Sequence, residues 1–400
     1  MTDIDVAVVG AGPAGTSTAI LLAERGHSVV LIDRSRFPRA KACAEFVNPG
    51  ALEILDRLGL LGRARAAGAR EFRGMKLVSP GGHTVPMDFQ ADAGKSALGL
   101  SRYVLDHLAV ERCRELGITV LEGSRLRSIL QDGDRVNGVE VSINPDQTQR
   151  ITSRVVVGAD GHHSTVSRTL GLDLPVRWPK RIGLAAHYAG FPLFGGLGEM
   201  HVGQAGYCGV APQEDGIVNV AMVIDVRRFE QRHGSVDDFF ETELRSYPGL
   251  RERVESSDRR TKVRGVGPLA RRVRHVAGDG YLLVGDAAGF FDPFTGEGII
   301  DALHGGVLAA GAISAALEQD DTSVTGLEPY AQARRNAFKD KRRAAWLVQA
   351  FVRSPRLMDY AIERIGKRPD TASTLTEVFG DYREAAAVLS PRVLLAALRP

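Results

Sequence analysis

The segment at residues 5–33 constrains the fold of this chain more than any other stretch. It reads DVAVVGAGPAGTSTAILLAERGHSVVLID, which gives an apolar strand, a glycine-rich turn, a helix, a second apolar strand and a final acid. Gly10 permits a tight turn, Gly12 lets the backbone approach a pyrophosphate, and Gly15 lets the helix pack closely on the strands. This order predicts the first βαβ unit of a dinucleotide-binding fold.

The same segment indicates how a dinucleotide would be held. The pyrophosphate is expected at the helix N-terminus, beside Pro13 and Ala14, where free N–H groups and the helix dipole favour an anion. Asp33 lies 18 residues after Gly15, close to the position of a carboxylate that accepts a hydrogen bond from a ribose 2′-hydroxyl. Because that carboxylate repels a 2′-phosphate, the site is predicted to hold FAD or NAD rather than NADP.

Composition limits the possible classes of protein. The 400 residues are too many for one hydrophobic core, so two or three structural units are expected. The net charge of +3, with no basic run interleaved with aromatics, argues against a nucleic-acid partner. Three scattered cysteines do not fit a disulfide framework or a metal site, and no apolar run appears long enough to span a bilayer. We therefore expect a cytoplasmic monomer or homodimer without a bound metal.

The pattern of predicted elements changes along the chain and indicates an α/β fold with three parts. Helices alternate with strands in the first part, whereas residues 182–225 contain short, glycine-containing strands typical of an antiparallel sheet. The predicted parts are a discontinuous Rossmann domain (residues 1–75, 100–170 and 275–325), an antiparallel-sheet substrate domain (76–99 and 171–274) and a C-terminal helical region (326–400).

Two further strand ends carry glycine and an acid. The run VVVGADG places Asp160 after a buried strand, and LLVGDAAG places Gly285 and Asp286 in the same way. A carboxylate at the end of a strand beside the ligand crevice of a sheet can accept hydrogen bonds from cofactor hydroxyls. Gly296 and Gly298 then precede a helix whose N–H groups can stabilise negative charge on a bound ring.

Together, these motifs resemble the FAD-binding fold shared by flavin monooxygenases of the para-hydroxybenzoate hydroxylase type, flavin halogenases and geranylgeranyl reductases, over about residues 3–320. The resemblance implies FAD as the cofactor, in a Rossmann domain of the glutathione-reductase type. It implies as cofactor-binding residues Gly10, Gly12, Pro13, Ala14, Gly15, Asp33, Arg34, Arg102, Asp160, Gly285, Asp286, Gly296, Gly298 and Ile299.

The branches of this family imply different reactions. The stretch FPRAKACAE, with Lys41 and Cys43, and the segment FTGEGI resemble the reductases. The reductase pattern that lines a prenyl tunnel appears here as Tyr207-Cys-Gly-Val-Ala-Pro, without two of its large apolar side chains, which would reduce contact with a prenyl substrate. The halogenase branch is disfavoured because no WxWxIP segment occurs and Gly296 stands where phenolic halogenases have serine.

We therefore expect a monooxygenase that uses molecular oxygen to hydroxylate a lipophilic phenol or quinol in a dry pocket. The alternatives are a geranylgeranyl-reductase-like enzyme that reduces prenyl double bonds, a flavin halogenase, and a flavin-binding redox sensor without turnover. Since no second GxGxxG occurs, NAD(P)H is expected to bind transiently as reductant, unless a separate reductase supplies the electrons.

Three side chains are candidate catalytic residues, each with a structural alternative. Cys43 fits a pocket thiol or a small inert hydrophobe. Tyr207 fits a hydrogen bond to a phenol or packing within a strand. Glu297 fits an acid beside the flavin or a helix N-cap. The adjacent histidines at 162–163 are expected in a solvated loop.

Two basic stretches, at residues 251–274 and 334–343, are interpreted as solvated faces. The second continues into a helical segment in which Trp346 and Phe351 lie among arginines. Such a segment is typical of peripheral membrane contact, and of a helix packed over the substrate domain.

Overall fold

The computed structural model describes residues 4–144, 146–247 and 249–398 of the chain. Its strands are β1 (Ile4–Val9), β2 (Val29–Ile32), β3 (Phe46–Val47), β4 (Arg70–Phe72), β5 (Gly74–Val78), β6 (Thr84–Asp88), β7 (Ala97–Gly99), β8 (Thr119–Leu121), β9 (Arg125–Asp132), β10 (Arg135–Asn144), β11 (Gln147–Gly158), β12 (Asp173–Leu174), β13 (Arg181–Ala189), β14 (Leu197–Val202), β15 (Gly206–Pro212), β16 (Ile217–Asp225), β17 (Asp258–Arg259), β18 (Arg264–Val266), β19 (Arg272–Val273), β20 (Ala277–Gly278) and β21 (Tyr281–Leu283).

The α-helices are α1 (Pro13–Ala23), α2 (Ala51–Arg57), α3 (Leu61–Ala66), α4 (Phe89–Ala93), α5 (Arg102–Glu115), α6 (Thr165–Thr169), α7 (Val226–Glu230), α8 (Val236–Leu244), α9 (Arg251–Glu255), α10 (Gly298–Glu318), α11 (Val324–Val352), α12 (Pro355–Gly366), α13 (Pro369–Phe379) and α14 (Pro391–Leu398). Short 3₁₀ turns lie at Glu214–Gly216, Gly285–Ala288 and Ala385–Leu389.

The first sheet has the order β20-β21-β11-β1-β2-β8, and its central neighbours β21, β11, β1, β2 and β8 are parallel. Strands buried on both faces read as continuous apolar runs, as in β2, where all four residues are buried. Strands β9 and β10 form a hairpin, as the turn at 132–134 predicts, and β10 pairs with β11 of this sheet. The α/β fold class is thereby confirmed.

The second sheet has the order β17-β13-β16-β15-β14-β5-β6, with β18 beside β13. Its pairs are antiparallel except for β5 with β14, which confirms the antiparallel sheet predicted for residues 182–225. One face packs against α8, and the other faces an apolar cluster that includes residues of α12. The domain boundaries given above stay predictions.

The expectation that no apolar stretch is long enough to span a bilayer is wrong for α10. This helix has 21 residues and a mean hydropathy of 1.5 over its most apolar window. Most of that window is buried inside the protein, and α10 packs against α1 and α11. Its apolar character is therefore explained by its central place in the core.

The C-terminal helices cover the second sheet. Val352, Met358 and Ile362 are buried in the apolar cluster that contains Met87 of β6. These contacts agree with the interpretation of the C-terminal segment as a helix packed over the substrate domain. Trp346, however, remains 54% exposed, so membrane contact through this region stays a proposal.

Candidate functional site

The three glycine-acid motifs meet at one edge of the first sheet. Val9 pairs with Ile32 and Gly158, and Gly158 pairs in turn with Leu283. Because parallel strands end at the same edge of a sheet, the turns that follow β1, β11 and β21 lie side by side. A ligand at this edge can therefore contact all three motifs.

The glycine turn is built by close backbone approaches. Gly10 has φ of +108°, and a Cβ at this position would lie 2.3 Å from the carbonyl oxygen of Ala159. A Cβ on Gly15 would lie 1.8 Å from the carbonyl oxygen of Gly10, so only glycine lets α1 approach the turn. Pro13 is the first residue of α1, which starts the helix directly after Gly12.

Asp33 holds this turn in place. Its Oδ2 accepts a hydrogen bond from the backbone N–H of Ala11 at 2.8 Å, and its Oδ1 accepts one from Ser35 at 2.8 Å. Each carboxylate oxygen can accept a further bond, so the predicted ribose contact is compatible with this structural role. Arg34 is exposed, and its predicted cofactor contact stays a prediction.

A buried ion pair lies beside the turn. The Arg102 guanidinium donates to both oxygens of Asp106 at 2.8 and 2.7 Å, and Arg39 approaches the same carboxylate at 2.9 Å. Burial disfavours the charged guanidinium, but the effect of Asp106 outweighs it and raises the pKa of Arg102. The Arg102 Nη2 lies 3.6 Å from the point where a Cβ on Gly12 would be, so the cation faces the predicted pyrophosphate site.

The second and third motifs supply acids. The Oδ2 of Asp160 accepts from the backbone N–H groups of Thr165 and Val166 at 2.5 and 3.2 Å, and its Oδ1 is buried without a hydrogen-bond partner among the described residues. Burial raises the pKa of Asp160. Asp286 lines the adjoining cavity, and burial, followed by the effect of Arg102, lowers the pKa of Lys41, which also lines it.

The cavity runs from the glycine turn to the third motif. Its cofactor side contains Gly12, Pro13, Ala14, Arg102, Asp286, Gly296, Gly298 and Ile299, all of them predicted cofactor residues. The cation of Arg102 beside Gly12 suits the phosphates of a flavin dinucleotide, and the carboxylate of Asp286 suits its hydroxyls. The residues present therefore fit FAD.

The opposite wall of the cavity is apolar and belongs to the second sheet. The side chains that face the cavity come from β13, β14, β16 and the segment around β18, and they are Ala185, Met200, Val223, Val266 and Leu269. Gly209 also lines this wall, and next to it a second small cavity is lined by Met75, Met87 and Phe379. Small residues in β15 thus leave space that apolar side chains from β5, β6 and α13 surround.

Cys43 and a buried carboxylate lie between these walls. Cys43 interacts electrostatically with Arg102, and the backbone N–H of Glu45 donates to the Cys43 Sγ at 3.3 Å. Glu45 is only 2% exposed, with φ of +54°. Its carboxylate accepts from the backbone of Arg102 at 2.8 Å, from Asn219 at 2.7 Å and from His187 at 2.7 Å. These bonds fix the loop that carries Cys43.

Replacing Glu45 with glutamine is expected to lower the pKa of His187. Burial disfavours the imidazolium, but the hydrogen bond and charge of Glu45 outweigh this and raise the pKa, with Glu214 assisting and Arg264 opposing. Charged His187 therefore stabilises the fold fully below a pH of about 6.5, and this stabilisation is lost as pH rises through the raised pKa. In Glu45→Gln, the fall in unfolding free energy between neutral and alkaline pH should be smaller.

A proton NMR titration of the His187 ring, assigned with a His187→Asn variant, measures this directly. The same pKa for His187 in the wild type and in Glu45→Gln would contradict the pairing.

Tyr207 and Glu297 are placed less favourably for catalysis. The Tyr207 ring lines the cavity, but its hydroxyl donates to Asp292 at 2.6 Å, and burial, together with Asp292, raises its pKa well above the usual range.

Glu297 faces a neighbouring groove instead, where its carboxylate contacts Thr295 and approaches Lys341 at 3.3 Å. Glu297 is the N-cap residue of α10 but makes no side-chain capping bond, and its contacts favour a structural role.

The expectation of solvated histidines is wrong for His162. Its side chain is buried, contacts the carbonyl of Pro268 and lines the cavity. Burial lowers its pKa, which favours the neutral ring. The turn after β11 folds under the segment around Pro268, a contact between distant residues that the local sequence does not reveal.

The fold and the glycine-lined cavity define a flavoprotein-type dinucleotide site. A family model described as an FAD binding domain matches residues 3–344. The chain therefore belongs to this family of FAD-binding proteins and is an FAD-dependent oxidoreductase.

Individual relatives differ in their reactions. Digeranylgeranylglycerophospholipid reductase 1 of Methanococcoides burtonii is 31% identical over 348 residues, covering 84% of this chain and 80% of that protein. Among solved structures, a flavin-dependent brominase has a TM-score of 0.83 at 22% identity, covering 95% and 94% of the two chains. A geranylgeranyl bacteriochlorophyll reductase-like protein of Thermoplasma acidophilum has a TM-score of 0.82 at 22% identity, covering 98% of each chain. The two structural matches show the shared fold.

Proposed function

We propose that this protein reduces carbon–carbon double bonds of an isoprenoid lipid. This replaces the expected hydroxylation of a phenol or quinol as the main interpretation. The observation that carries the proposal is the apolar wall of the cavity, which continues past Gly209 into the pocket around Met87 and Phe379. Such a wall binds a hydrocarbon chain through surface burial alone.

A phenol would need a polar partner on this wall, and the geometry provides little. Tyr207, the expected partner, already donates its hydroxyl to Asp292. Lys41 and Arg102 lie on the cofactor side of the cavity, and the carboxylate of Glu45 already accepts from Arg102, His187 and Asn219. The cavity thus suits a substrate without polar groups at its reacting end.

The named relatives support the same choice. The Methanococcoides burtonii protein, named as a reductase of digeranylgeranylglycerophospholipid, aligns over most of both chains. The large apolar side chains missing at Gly209 and Ala211 are the feature that disfavoured a prenyl substrate in the sequence. Their loss is offset by Met75, Met87 and Phe379, which surround the space they leave.

Reduction of a double bond adds a hydride to one carbon and a proton to the other. Bound FAD, once reduced by NAD(P)H or a protein donor, supplies the hydride. We assign the proton to the Cys43 thiol: its S–H bond breaks as the C–H bond forms. Arg102 and the backbone N–H of Glu45 lie against the sulfur and stabilise the resulting thiolate, which regains a proton from solvent.

Replacing Cys43 with alanine is expected to lower kcat by about 100-fold or more, the usual contribution of a positioned general acid. FAD content should be unchanged because the predicted cofactor contacts do not include this thiol. Cys208→Ala is the matched control, since Cys208 is buried in the apolar cluster on the far face of the second sheet. The kcat of both variants is measured with digeranylgeranylglycerophospholipid as substrate. Equal values for the two variants would show that Cys43 is not the proton donor.

The function is tested by mass analysis of the lipid after two separate incubations with holoprotein. The first contains dithionite and no oxygen, and the second contains NADPH in air. Double-bond reduction adds two hydrogen atoms per site in the incubation with dithionite, which needs no natural electron donor. Addition of one oxygen atom, in air alone and to a phenolic lipid, would instead establish the monooxygenase.

A further inference from the structure

Two basic stretches that are distant in sequence face each other across one groove. Arg271, Arg272 and Arg274, in and around β19, lie along one side, and Arg334 and Arg342 of α11 lie along the other. The sequence indicated only solvated faces for both stretches. The fold instead brings them together beside the cofactor cavity.

Several cations of the groove are already neutralised. Lys341 approaches Asp301 and Asp381 at 2.9 and 2.8 Å, as well as Glu297. Arg271 pairs with Asp173 at 2.6 Å, and Arg335 pairs with Glu328 at 2.6 Å. These pairs account for most of the carboxylates in the groove.

Four arginines remain without such a partner. Within the part of the chain that the structure describes, no carboxylate lies within 4.0 Å of the side-chain nitrogens of Arg272, Arg274, Arg334 or Arg342. Burial, and then the nearby Arg334, lower the pKa of Arg342. Arginine clusters of this kind are typical of phosphate sites, because each guanidinium offers a fork of donors.

An aromatic group lies at the same groove. Trp346 is 54% exposed, with its ring stacked on Phe291 at a centroid distance of 5.1 Å and next to Trp178 at 4.9 Å. Trp346 and Phe291 both line the groove. A ligand there can combine a phosphate with an apolar or aromatic portion.

The groove also adjoins the cavity. Asp286, Phe290, Gly298 and Ala302 line both. A molecule whose phosphate lies between the arginines can therefore extend toward the predicted flavin site.

We propose that this groove binds the phosphoryl group of a ligand whose remainder reaches the cavity. Two ligands carry that chemistry: the phosphate headgroup of a lipid substrate, and the diphosphate of the nicotinamide dinucleotide that reduces the cofactor. Binding of a lipid headgroup rests on the proposed function. Binding of a nicotinamide dinucleotide does not, since any FAD-dependent oxidoreductase with such a donor must bind it.

The test measures binding to the oxidised holoprotein, which needs no turnover. The probes are NADPH, and dioleoyl phosphatidic acid in neutral detergent micelles with dioleoylglycerol as its phosphate-free counterpart. The variant is Arg334→Gln with Arg342→Gln, and a second variant, Arg272→Gln with Arg274→Gln, changes the opposite wall. Lys339→Gln is the control, because Lys339 is an exposed cation of the same helix that does not line the groove.

Both double variants should bind one phosphate probe about tenfold or more weakly, with FAD content retained and dioleoylglycerol binding unchanged. Loss confined to phosphatidic acid identifies a lipid headgroup site, and loss confined to NADPH identifies a dinucleotide site. Losses no larger than that of Lys339→Gln, or a wild type that binds neither phosphate probe, would overturn the proposal. Failure of the proposed reduction, by contrast, would leave these affinities intact.

Discussion

Gly15→Ala is expected to yield a protein that purifies almost without FAD. The added methyl would lie 1.8 Å from the carbonyl oxygen of Gly10 and 3.3 Å from the Cβ of Ala159. Since a backbone carbonyl cannot rotate away, α1 must move from the turn, and its N-terminus leaves the pyrophosphate site. Overpacking of this kind costs about 1–3 kcal/mol. If this cost applies to the FAD-bound state, it weakens FAD binding about 5- to 150-fold.

The ratio of flavin to protein absorbance, and titration of the apoprotein with FAD, measure this loss. Gly62→Ala is the matched control, because a Cβ at Gly62 meets no atom within 4 Å and the residue lies inside α3. Alanine is the better helix former there, so stability should stay equal or rise. Normal FAD content in Gly15→Ala would contradict the predicted position of the pyrophosphate.

Arg102→Met is expected to be the most destabilising of the single changes considered. Among the described residues, Asp106, whose side chain has no exposed surface, would keep only the salt bridge to Arg39. Removing one partner of a buried ion pair costs about 3–5 kcal/mol. The midpoint of chemical unfolding should fall accordingly, and FAD affinity should fall with it because the cation beside Gly12 is lost.

Two controls separate stability from cofactor binding. Arg63→Met removes a bidentate pair with Glu115 of similar geometry at the surface, and no measurable loss is expected there. Arg102→Met with Asp106→Leu removes both buried charges, which should restore much of the stability but not the FAD affinity. If the stability and the FAD affinity were both restored, Arg102 would support only the fold and not FAD binding.

The cofactor side of the cavity could be predicted because its signals are local. Each motif places glycine or an acid at the end of an apolar run, and the parallel register aligns Val9, Gly158 and Leu283 so that the three turns meet. Parallel strands end at the same edge of a sheet, and this rule requires no knowledge of distant side chains. The predicted glycines and acids therefore lie together in the structure.

The substrate side could not be predicted in the same way. Glu45 lies two residues after Cys43, yet its partners His187 and Asn219 are 142 and 174 residues away. The carboxylate of Glu297 likewise turns toward Lys341 of α11. Such contacts depend on how the sheet and the C-terminal helices pack, and local patterns carry no signal for them.

The preference for hydroxylation illustrates the same difficulty. The small residues Gly209 and Ala211 predict less contact with a prenyl chain and so disfavour a prenyl substrate. In the structure, β5, β6 and α13 supply Met75, Met87 and Phe379 around that space. Met75 lies about 130 positions before Gly209, and Phe379 lies about 170 positions after it. Residues distant in sequence thus surround the space left in this motif.

Reduction of the lipid by FAD can be followed in a single turnover without oxygen. Holoprotein reduced with one equivalent of dithionite is mixed with digeranylgeranylglycerophospholipid, and the visible absorbance of oxidised FAD is followed. We expect the absorbance to return at a rate that rises with lipid concentration, with two hydrogen atoms gained per FAD. FAD that stays reduced with the lipid, and returns to the oxidised form only when oxygen is admitted, would contradict it.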